Sequence, residues 1–343
     1  MTGGTLSVSW QGAGRYFGGE GRMKKMTFIS IFIFSSFVFA QEPYLSKSNP
    51  RTYTVTVSVN IKNNGLALSD LIVNIPLPLQ NRVQDVKYIQ TNNGVVINDG
   101  ELRYASFVYD EKSSPKNGEN ILSAVSYQVT TYDQFYDLLK IKKIEPYNKK
   151  GANFINYTRD NLPYINLSNK KLQAISNKLW EKSQAGILTY ARMAYEYVPL
   201  NFSYINANTG LHPLNEVMDS GGGDCGNLSS IYITLLRIKQ IPARHVVAIR
   251  ADNTFHVWSE FYLENIGWIP VDVTFKQIYP NKDYFGKMDK ESNGIALNKD
   301  VNFSLVVGNK GRFNIGLFQR YGYWYWSSGL GSLDSKFKIT ETE

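Results

Sequence analysis

Cysteine and histidine are scarce in this sequence of 343 residues, which has one Cys, Cys225, and three His. A single cysteine cannot form an intramolecular disulfide bond, so a disulfide framework is excluded. His212, His245 and His256 do not share a metal-ligand spacing with Cys225, and no acidic calcium-binding loop is present. We therefore predict neither a metal site nor a cofactor.

The sequence also lacks a strong charge imbalance. Its formal net charge is +8, and residues 1–40 carry four basic residues and one acidic residue, which leaves +5 for the rest. Lysine pairs at 142–143, 149–150 and 170–171 indicate a solvated surface. No element interleaves basic and aromatic residues as nucleic-acid-binding motifs do, so no nucleic-acid partner is predicted.

Long apolar runs are missing except near the N-terminus. The basic start at 23–26 precedes an apolar run from Phe28 to Phe39, and small residues end at Ala40. This pattern predicts a signal peptide over 23–40, preceded by an upstream extension over 1–22. An uncleaved anchor is the alternative. The apolar run is short for a membrane-spanning helix, which favours the signal peptide. Cleavage after Ala40 would leave a periplasmic or secreted protein without an integral membrane span.

Residues 43–145 read as a β-rich region. Apolar and polar residues alternate strictly from Thr52 to Ile61, as in a half-buried strand. Further short strand patterns are separated by turn signals such as 92–94 and 98–100. The spacing predicts an immunoglobulin-like β-sandwich that serves as a spacer or binding module.

The pattern changes after a polar junction over 146–168. Apolar residues recur at helical spacing between Lys171 and Tyr197, which predicts a helix or helix pair ending before Pro199. We place a second, α+β domain over 165–343. Strand patterns at 301–305 and 313–317 predict extra strands that complete its sheet. The aromatic run 321–326 predicts a β-strand, with a sugar- or peptide-stacking surface as the alternative.

The single cysteine stands at the start of a predicted helix. Glycines at 221–223 and Asp224 precede Cys225, and apolar residues follow at i, i+3, i+4, i+7 and i+8 from Leu228. Asp224 is a good N-cap residue, and the glycines permit a tight entry into the helix. At a helix N-terminus the thiolate is stabilised by the helix dipole and by unpaired N–H groups, which can also receive an oxyanion.

Two adjacent strands that follow this helix carry a histidine and a carboxylate. Pro242 ends the helix, a strand follows at 245–250, and alternating segments over 255–262 and 267–274 are joined by a turn at 265–267. Side chains on neighbouring strands lie about 5 Å apart when directly opposite, so His256 and Asp272 are predicted neighbours. A thiol, an imidazole and a carboxylate are the components of nucleophilic acyl transfer.

These segments together resemble the transglutaminase-like superfamily. The resemblance covers about Lys171–Phe275 and rests on four linked signatures: Gly-Asp-Cys-Gly, Ile-Pro-Ala-Arg, His-x-Trp-x-Glu and Gly-Trp-x-x-Val-Asp-x-Thr. It implies a papain-like α+β fold with Cys225 as the nucleophile, His256 as the base and Asp272 as the residue that orients the imidazole. It also implies a second oxyanion donor upstream of the cysteine, for which Asn201, Tyr204 and Asn206 all remain open.

The function predicted on this basis is that of an exported cysteine acyl-transfer enzyme. It would act on peptide or glutamine-type amides through a thioester, as a protease, deamidase or transglutaminase, with a peptide or protein as its partner. Hydrolysis and transamidation differ only in the acceptor, which the three residues do not specify. The alternative is a non-catalytic scaffold of the cell envelope that retains the fold. The oligomeric state is not predicted, and His212 and His245 are assigned no catalytic role.

Overall fold

Strands dominate both ends of the chain, as seen in a computed structural model that describes residues 43–66, 68–205, 210–306, 311–319 and 323–342. The first strands are β1 (Leu45–Asn63), β2 (Leu71–Pro76), β3 (Gln84–Thr91), β4 (Val95–Asp99), β5 (Leu102–Tyr109) and β6 (Asn120–Tyr136). The helices are α1 (Ala152–Tyr157), α2 (Lys170–Lys182), α3 (Ile187–Asn201), α4 (Leu214–Ser220), α5 (Cys225–Ile238) and α6 (Val273–Ile278). The later strands are β7 (Ser203–Tyr204), β8 (Gly222–Gly223), β9 (Ala243–Ile249), β10 (Phe255–Leu263), β11 (Gly267–Val271), β12 (Lys287–Met288), β13 (Ile295–Lys299), β14 (Phe303–Val306), β15 (Arg312–Ile315), β16 (Tyr323–Tyr325) and β17 (Gly331–Thr342). The fold is thus a strand-rich mixture of helices and sheets.

Two large sheets contain most of these strands. One has the order β12-β6-β1-β17, with β3 also on β6, and the other has the order β11-β10-β9-β13-β5-β2-β16, with β4 on β5. Val55, Val57 and Val59 are buried, which confirms the alternation predicted for β1. They pack in a common core with residues of the second sheet, including Val73 and Leu297, so the sheets lie face to face.

The second sheet joins the N-terminal strands to the strands around His256. Its link is β13, which pairs with β5 at Asn298 and Leu102 and with β9 on its other side. The self-contained sandwich expected over 43–145 therefore differs from the pairing observed. Local periodicity identifies each strand, but it carries no information about partners that lie far away in the sequence.

The C-terminal strands correct another expectation. β14 and β15 pair with each other, whereas β16 pairs with β2 and β17 runs antiparallel along β1. In the described residues it is β13 that extends the sheet beside β9. The aromatic run does contain a strand, Tyr323–Tyr325, while residues 320–322 lie outside the described residues.

Helix α5 lies in the main helical core. The residues expected to form one apolar face are buried, but so are the residues between them, from Gly226 to Arg237. The predicted amphipathic helix is therefore enclosed on all sides, because α2 and α3 cover the side away from the sheet. The Tyr190 hydroxyl, for example, donates to the Leu235 carbonyl at 2.6 Å. Polar side chains of α5 form hydrogen bonds within the protein. Thr234 Oγ1, for example, donates to the Ser230 carbonyl at 2.7 Å.

Helix α3 also differs from its predicted end. It continues through Pro199 to Asn201. A proline in the last turn removes only one backbone hydrogen bond at a point where the helix is about to end, so the cost is small compared with that in a helix interior. Among the described residues, no helix is long and apolar enough to cross a membrane.

Candidate active site

The nucleophile candidate begins helix α5, as predicted. Asp224 is the N-cap residue, and its Oδ1 accepts hydrogen bonds from the backbone N–H groups of Gly226 and Asn227 at 3.0 and 3.2 Å. Its Oδ2 accepts from the Gly210 N–H at 2.9 Å. As the first residue of α5, Cys225 lies at the positive end of the helix dipole. Its side chain is half-buried, so part of it is open to solvent.

The glycines before Cys225 are required by a close backbone contact. β7 and β8 pair in parallel, which places Ser203 against Gly222 and Tyr204 against Gly223. Gly222 has φ 154°, and a Cβ atom there would lie 2.0 Å from the Ser203 carbonyl oxygen. A side chain at 222 would therefore separate Tyr204 from the cysteine loop.

His256 and Asp272 are in direct contact. His256 Nε2 lies 2.5 Å from Asp272 Oδ2, so the two residues predicted to be neighbours are in hydrogen-bond contact. The contact is not between directly opposite ladder positions: Val271 pairs with Ser259, and Asp272 then leaves the strand to cap α6. Its Oδ1 accepts from the Phe275 N–H at 2.9 Å. Both side chains are buried.

The imidazole of His256 is held in its charged form. Burial lowers its pKa, but the Asp272 carboxylate and a hydrogen bond to Cys225 outweigh burial and raise the pKa to about 10. Because Nε2 faces Asp272, Nδ1 is the ring nitrogen left for the thiol. A protonated imidazole in the same cavity as Cys225 can act as a general acid there.

A cavity of about 720 Å³ opens over these residues. Its apolar walls include Phe255, Val257, Phe275, Ile278 and Leu317. Its polar lining is Tyr204, Gly210, Asp224, Cys225, Gly226, Arg250, Asn253, Thr254, His256, Thr274 and Gln319. The cavity is large enough for a peptide segment, and water reaches the cysteine through it.

Of the three candidate oxyanion donors, Tyr204 lines this cavity and Asn201 does not. The Asn201 amide instead donates to the Tyr197 carbonyl at 2.8 Å, and Asn206 lies outside the described residues. The pKa of Tyr204 is raised, first by burial and then by the negative charges of Cys225 and Asp224. Its hydroxyl therefore remains a protonated hydrogen-bond donor near the thiol.

Gln277, on α6, fixes the backbone around Tyr204, a role that no sequence signal indicated. Its Oε1 accepts from the Tyr204 N–H at 2.7 Å. Its Nε2 donates to the carbonyls of Pro199 and Phe202 at 2.7 and 2.8 Å. The helix that Asp272 caps therefore also positions Tyr204.

The other histidines lie apart from this arrangement. His245 is buried in a polar cluster, with Nε2 3.0 Å from Ser230 Oγ and Nδ1 3.6 Å from Asp300 Oδ1. Burial lowers the pKa of His245. His212 lines a separate cavity behind the cysteine loop. In the residues that the structure describes, no cluster of three or more His, Cys, Asp or Glu side chains could bind a metal ion.

Comparison with known proteins agrees with this geometry. Residues 173–273 match the family profile described as the transglutaminase-like superfamily. This segment of the chain is similar to the transglutaminase-like superfamily. It contains the start of α5, the strand with His256 and the cap residue Asp272. No curated protein matches the chain significantly.

Solved structures align with this chain at low identity. A candidate cysteine protease from Cytophaga hutchinsonii aligns with a TM-score of 0.58 and 13% identity over 87% of this chain and 93% of that one. The periplasmic domain of TgpA from Pseudomonas aeruginosa aligns with a TM-score of 0.38 and 13% identity over 66% of this chain and 89% of that one. The first of these alignments shows that this chain and the Cytophaga hutchinsonii protein share their fold over most of both chains.

Proposed function

We propose that the protein is an exported cysteine acyl-transfer enzyme that acts on peptide or glutamine-type amides through a thioester intermediate. One observation carries the proposal. A half-buried thiol at the start of a helix lines the same cavity as a buried imidazole, raises the pKa of that imidazole, and is joined there by a buried carboxylate in contact with the imidazole Nε2. This is the arrangement that thiol acyl transfer requires.

The proposed reaction has two halves. In the first, the Cys225 thiolate attacks the amide carbonyl carbon, a C–S bond forms, and charge collects on the carbonyl oxygen. The His256 imidazolium then gives its proton to the leaving amine, the C–N bond breaks, and a thioester remains. In the second half, neutral His256 takes a proton from water or an acceptor amine as that nucleophile attacks the thioester. The thiolate then leaves, and Asp272 holds the imidazole throughout.

Two donors support an oxyanion site. The Cys225 backbone N–H is at the first helical position, where helical geometry provides no acceptor for it. Tyr204, which lines the same cavity, supplies a protonated hydroxyl. Removal of one such donor typically lowers kcat by about 10²–10³-fold, so Tyr204→Phe should reduce kcat within that range.

Export is proposed from residues 23–40, which lie outside the described residues. The expected mature protein begins at Gln41 and is periplasmic or secreted. Intact-mass measurement of the protein recovered from outside the cytoplasm tests this proposal. A mass that still includes residues 23–40 would replace it with membrane anchoring.

Cysteine reactivity tests the enzyme proposal. We expect iodoacetamide to alkylate Cys225 at pH 6 faster than it alkylates free cysteine, because the imidazolium favours the thiolate. Cys225→Ser should abolish labelling and turnover, His256→Ala should abolish turnover in a folded protein, and Asp272→Asn should be milder. If Cys225 labels no faster than free cysteine, the non-catalytic scaffold becomes the better interpretation.

A further inference from the structure

One guanidinium group lies on the wall of the active-site cavity. Arg250 directly follows β9, and its backbone N–H donates to the Thr254 carbonyl at 2.9 Å across the turn to β10. Arg250 lines the same cavity as Cys225 and His256. Among the described lining residues it provides the only cation besides His256, and Asp224, the anion on this wall, is already occupied by the α5 cap.

Contacts with the Phe275 ring limit the distance from Arg250 to the His256 imidazole. Its Cζ atom lies 5.1 Å from the ring centroid of Phe275. That ring centroid lies 4.9 Å from the centroid of the His256 imidazole. The guanidinium is therefore at most 10.0 Å from the imidazole, the sum of those two distances. A peptide in extended conformation spans this distance with about three residues.

Most of the hydrogen-bonding capacity of Arg250 is unused in the described part of the chain. Its side chain is 20% exposed and makes one ion pair, with Asp252 Oδ2 at 3.3 Å. The other Asp252 oxygen accepts from Thr254 Oγ1 at 2.5 Å, which ties this carboxylate to the turn. A guanidinium has five N–H donors, so several remain for a ligand.

Two buried arginines of the segment 173–273 provide a contrast. Arg237 donates to the Ala243 and Arg159 carbonyls and to both oxygens of Asp300. Arg244 donates to Glu260 and Glu101. Those guanidinium groups are saturated by the protein, as buried cations usually are. Arg250 differs from them because it has donors to spare and lines the active-site cavity, as well as a second cavity that Arg51 and Asp252 also line.

We infer that Arg250 is a specificity-determining residue that binds a carboxylate of the substrate. The inference rests on the proposed function and names its substrate class: an acidic peptide whose carboxylate lies within about three residues of the amide that Cys225 attacks. The planar guanidinium can bind both carboxylate oxygens at once, and the Phe275 face keeps it oriented. The apolar walls then contact the intervening aliphatic parts of the peptide.

A protection assay tests this inference without requiring turnover. The probes are three peptides, N-acetyl-Ala-X-Ala-amide with X as glutamate, norvaline or lysine, and the readout is the rate at which iodoacetamide alkylates Cys225. We expect the glutamate peptide to protect Cys225 at a concentration roughly tenfold lower than the norvaline peptide, because charge-assisted hydrogen bonds form only with the carboxylate.

Three substitutions of Arg250 and one control variant assign the effect to this residue. Arg250→Met should bring the ratio of protecting concentrations to about one, and Arg250→Glu should reverse the preference toward the lysine peptide. Arg312→Met is the matched control: this arginine is exposed on β15 and paired with Asp99, so the wild-type ratio should persist. Thermal unfolding of each variant checks that it is folded, and Arg250→Lys, which keeps the charge, should retain part of the preference.

The outcomes separate the two proposals. Equal protection of wild-type Cys225 by all three peptides, or by none of them, overturns the carboxylate assignment, as does a preference that survives in Arg250→Glu. Slow alkylation of Cys225 without peptide instead counts against the enzyme proposal, while the ratio between peptides still reports on Arg250.

Discussion

At the scale of single residues, Asp272 performs two tasks with its two oxygens. Oδ2 contacts His256 Nε2, and Oδ1 caps α6 by accepting from the Phe275 N–H. A carboxylate that is buried and bonded on both oxygens cannot rotate freely, so it fixes the imidazole plane. The sequence suggested the first task and not the second.

Substitution of Asp272 should separate its charge from its capping role. Asparagine also caps helices, so Asp272→Asn should cost little stability, whereas Asp272→Ala should cost about 1 kcal/mol from the lost cap alone. Both variants should lower the pKa of His256, because burial is then no longer opposed by the carboxylate. NMR titration of the imidazole and thermal unfolding measure the two effects. An unchanged His256 pKa in Asp272→Asn would contradict this account.

The raised pKa of His256 also makes a stability prediction. A histidine whose pKa rises from 6.5 in the unfolded chain to about 10 in the folded one contributes stability that is complete below pH 6.5. That contribution is lost as the pH rises through about 10. The free energy of unfolding should therefore fall more steeply between these limits in the wild type than in His256→Gln. Urea unfolding at a series of pH values measures the difference, and parallel curves would disagree with it.

At the scale of elements, two short strands and one short helix position the residues of the candidate site. β7 and β8 pair over two residues each, yet this pairing brings Tyr204 beside the cysteine loop. α6 is only six residues long, and it carries Asp272 at its cap and Gln277 near its end. Because one helix holds both the imidazole partner and the Tyr204 backbone, its position couples the two halves of the site.

Gln277 should act on catalysis through Tyr204. Gln277→Leu removes the three hydrogen bonds to the 199–204 segment, so we expect kcat to fall with a smaller change in KM. If the loss passes through the Tyr204 hydroxyl, Gln277→Leu should add little in a Tyr204→Phe background. A double-mutant cycle on kcat, with Gln173→Leu on α2 as a control for a lost glutamine side chain, measures this coupling. Fully additive losses would leave Gln277 with a purely structural role.

At the scale of the whole molecule, the first and last strands of the described chain close the fold. β17 pairs with β1 from Thr52 to Asn63, and its Leu333, Phe337 and Ile339 pack against the core between the sheets. Phe337 also approaches Phe255, which lines the cavity next to His256, with ring centroids 6.4 Å apart. The C-terminal strand thus supports the cavity wall although it lies far outside the matched segment.

Deletion of residues 331–343 should therefore affect both stability and activity. It leaves β1 as an unpaired edge and exposes apolar core residues, so we expect a lower Tm and a tendency to aggregate. Deletion of residues 342–343 alone is the control, since the β17 core residues stay in place. Thermal unfolding and the alkylation rate of Cys225 are the measurements. Equal Tm values for the two truncated proteins would refute this role of β17.

The sequence by itself predicted the elements that form the candidate site. Local signals sufficed for the helix that begins at Cys225, for the strand of His256 and for Asp272 after the next strand, because caps, glycines and alternation act over a few residues. The resemblance to the transglutaminase-like superfamily added their order and candidate roles. The choice between Asn201 and Tyr204, in contrast, needed the direction of each side chain relative to the cavity.

Only the tertiary structure decided which distant segments meet. The pairing of β13 with β5, of β16 with β2 and of β17 with β1 joins residues that are far apart in the chain. The same holds for Gln277 against the 199–204 segment and for Arg250 over Phe275. Alternation fixes which face of a strand is buried, but many partners satisfy the same alternation. The strand partners observed are those that together bury the apolar residues of the core. This pairing decides which residues line the cavity.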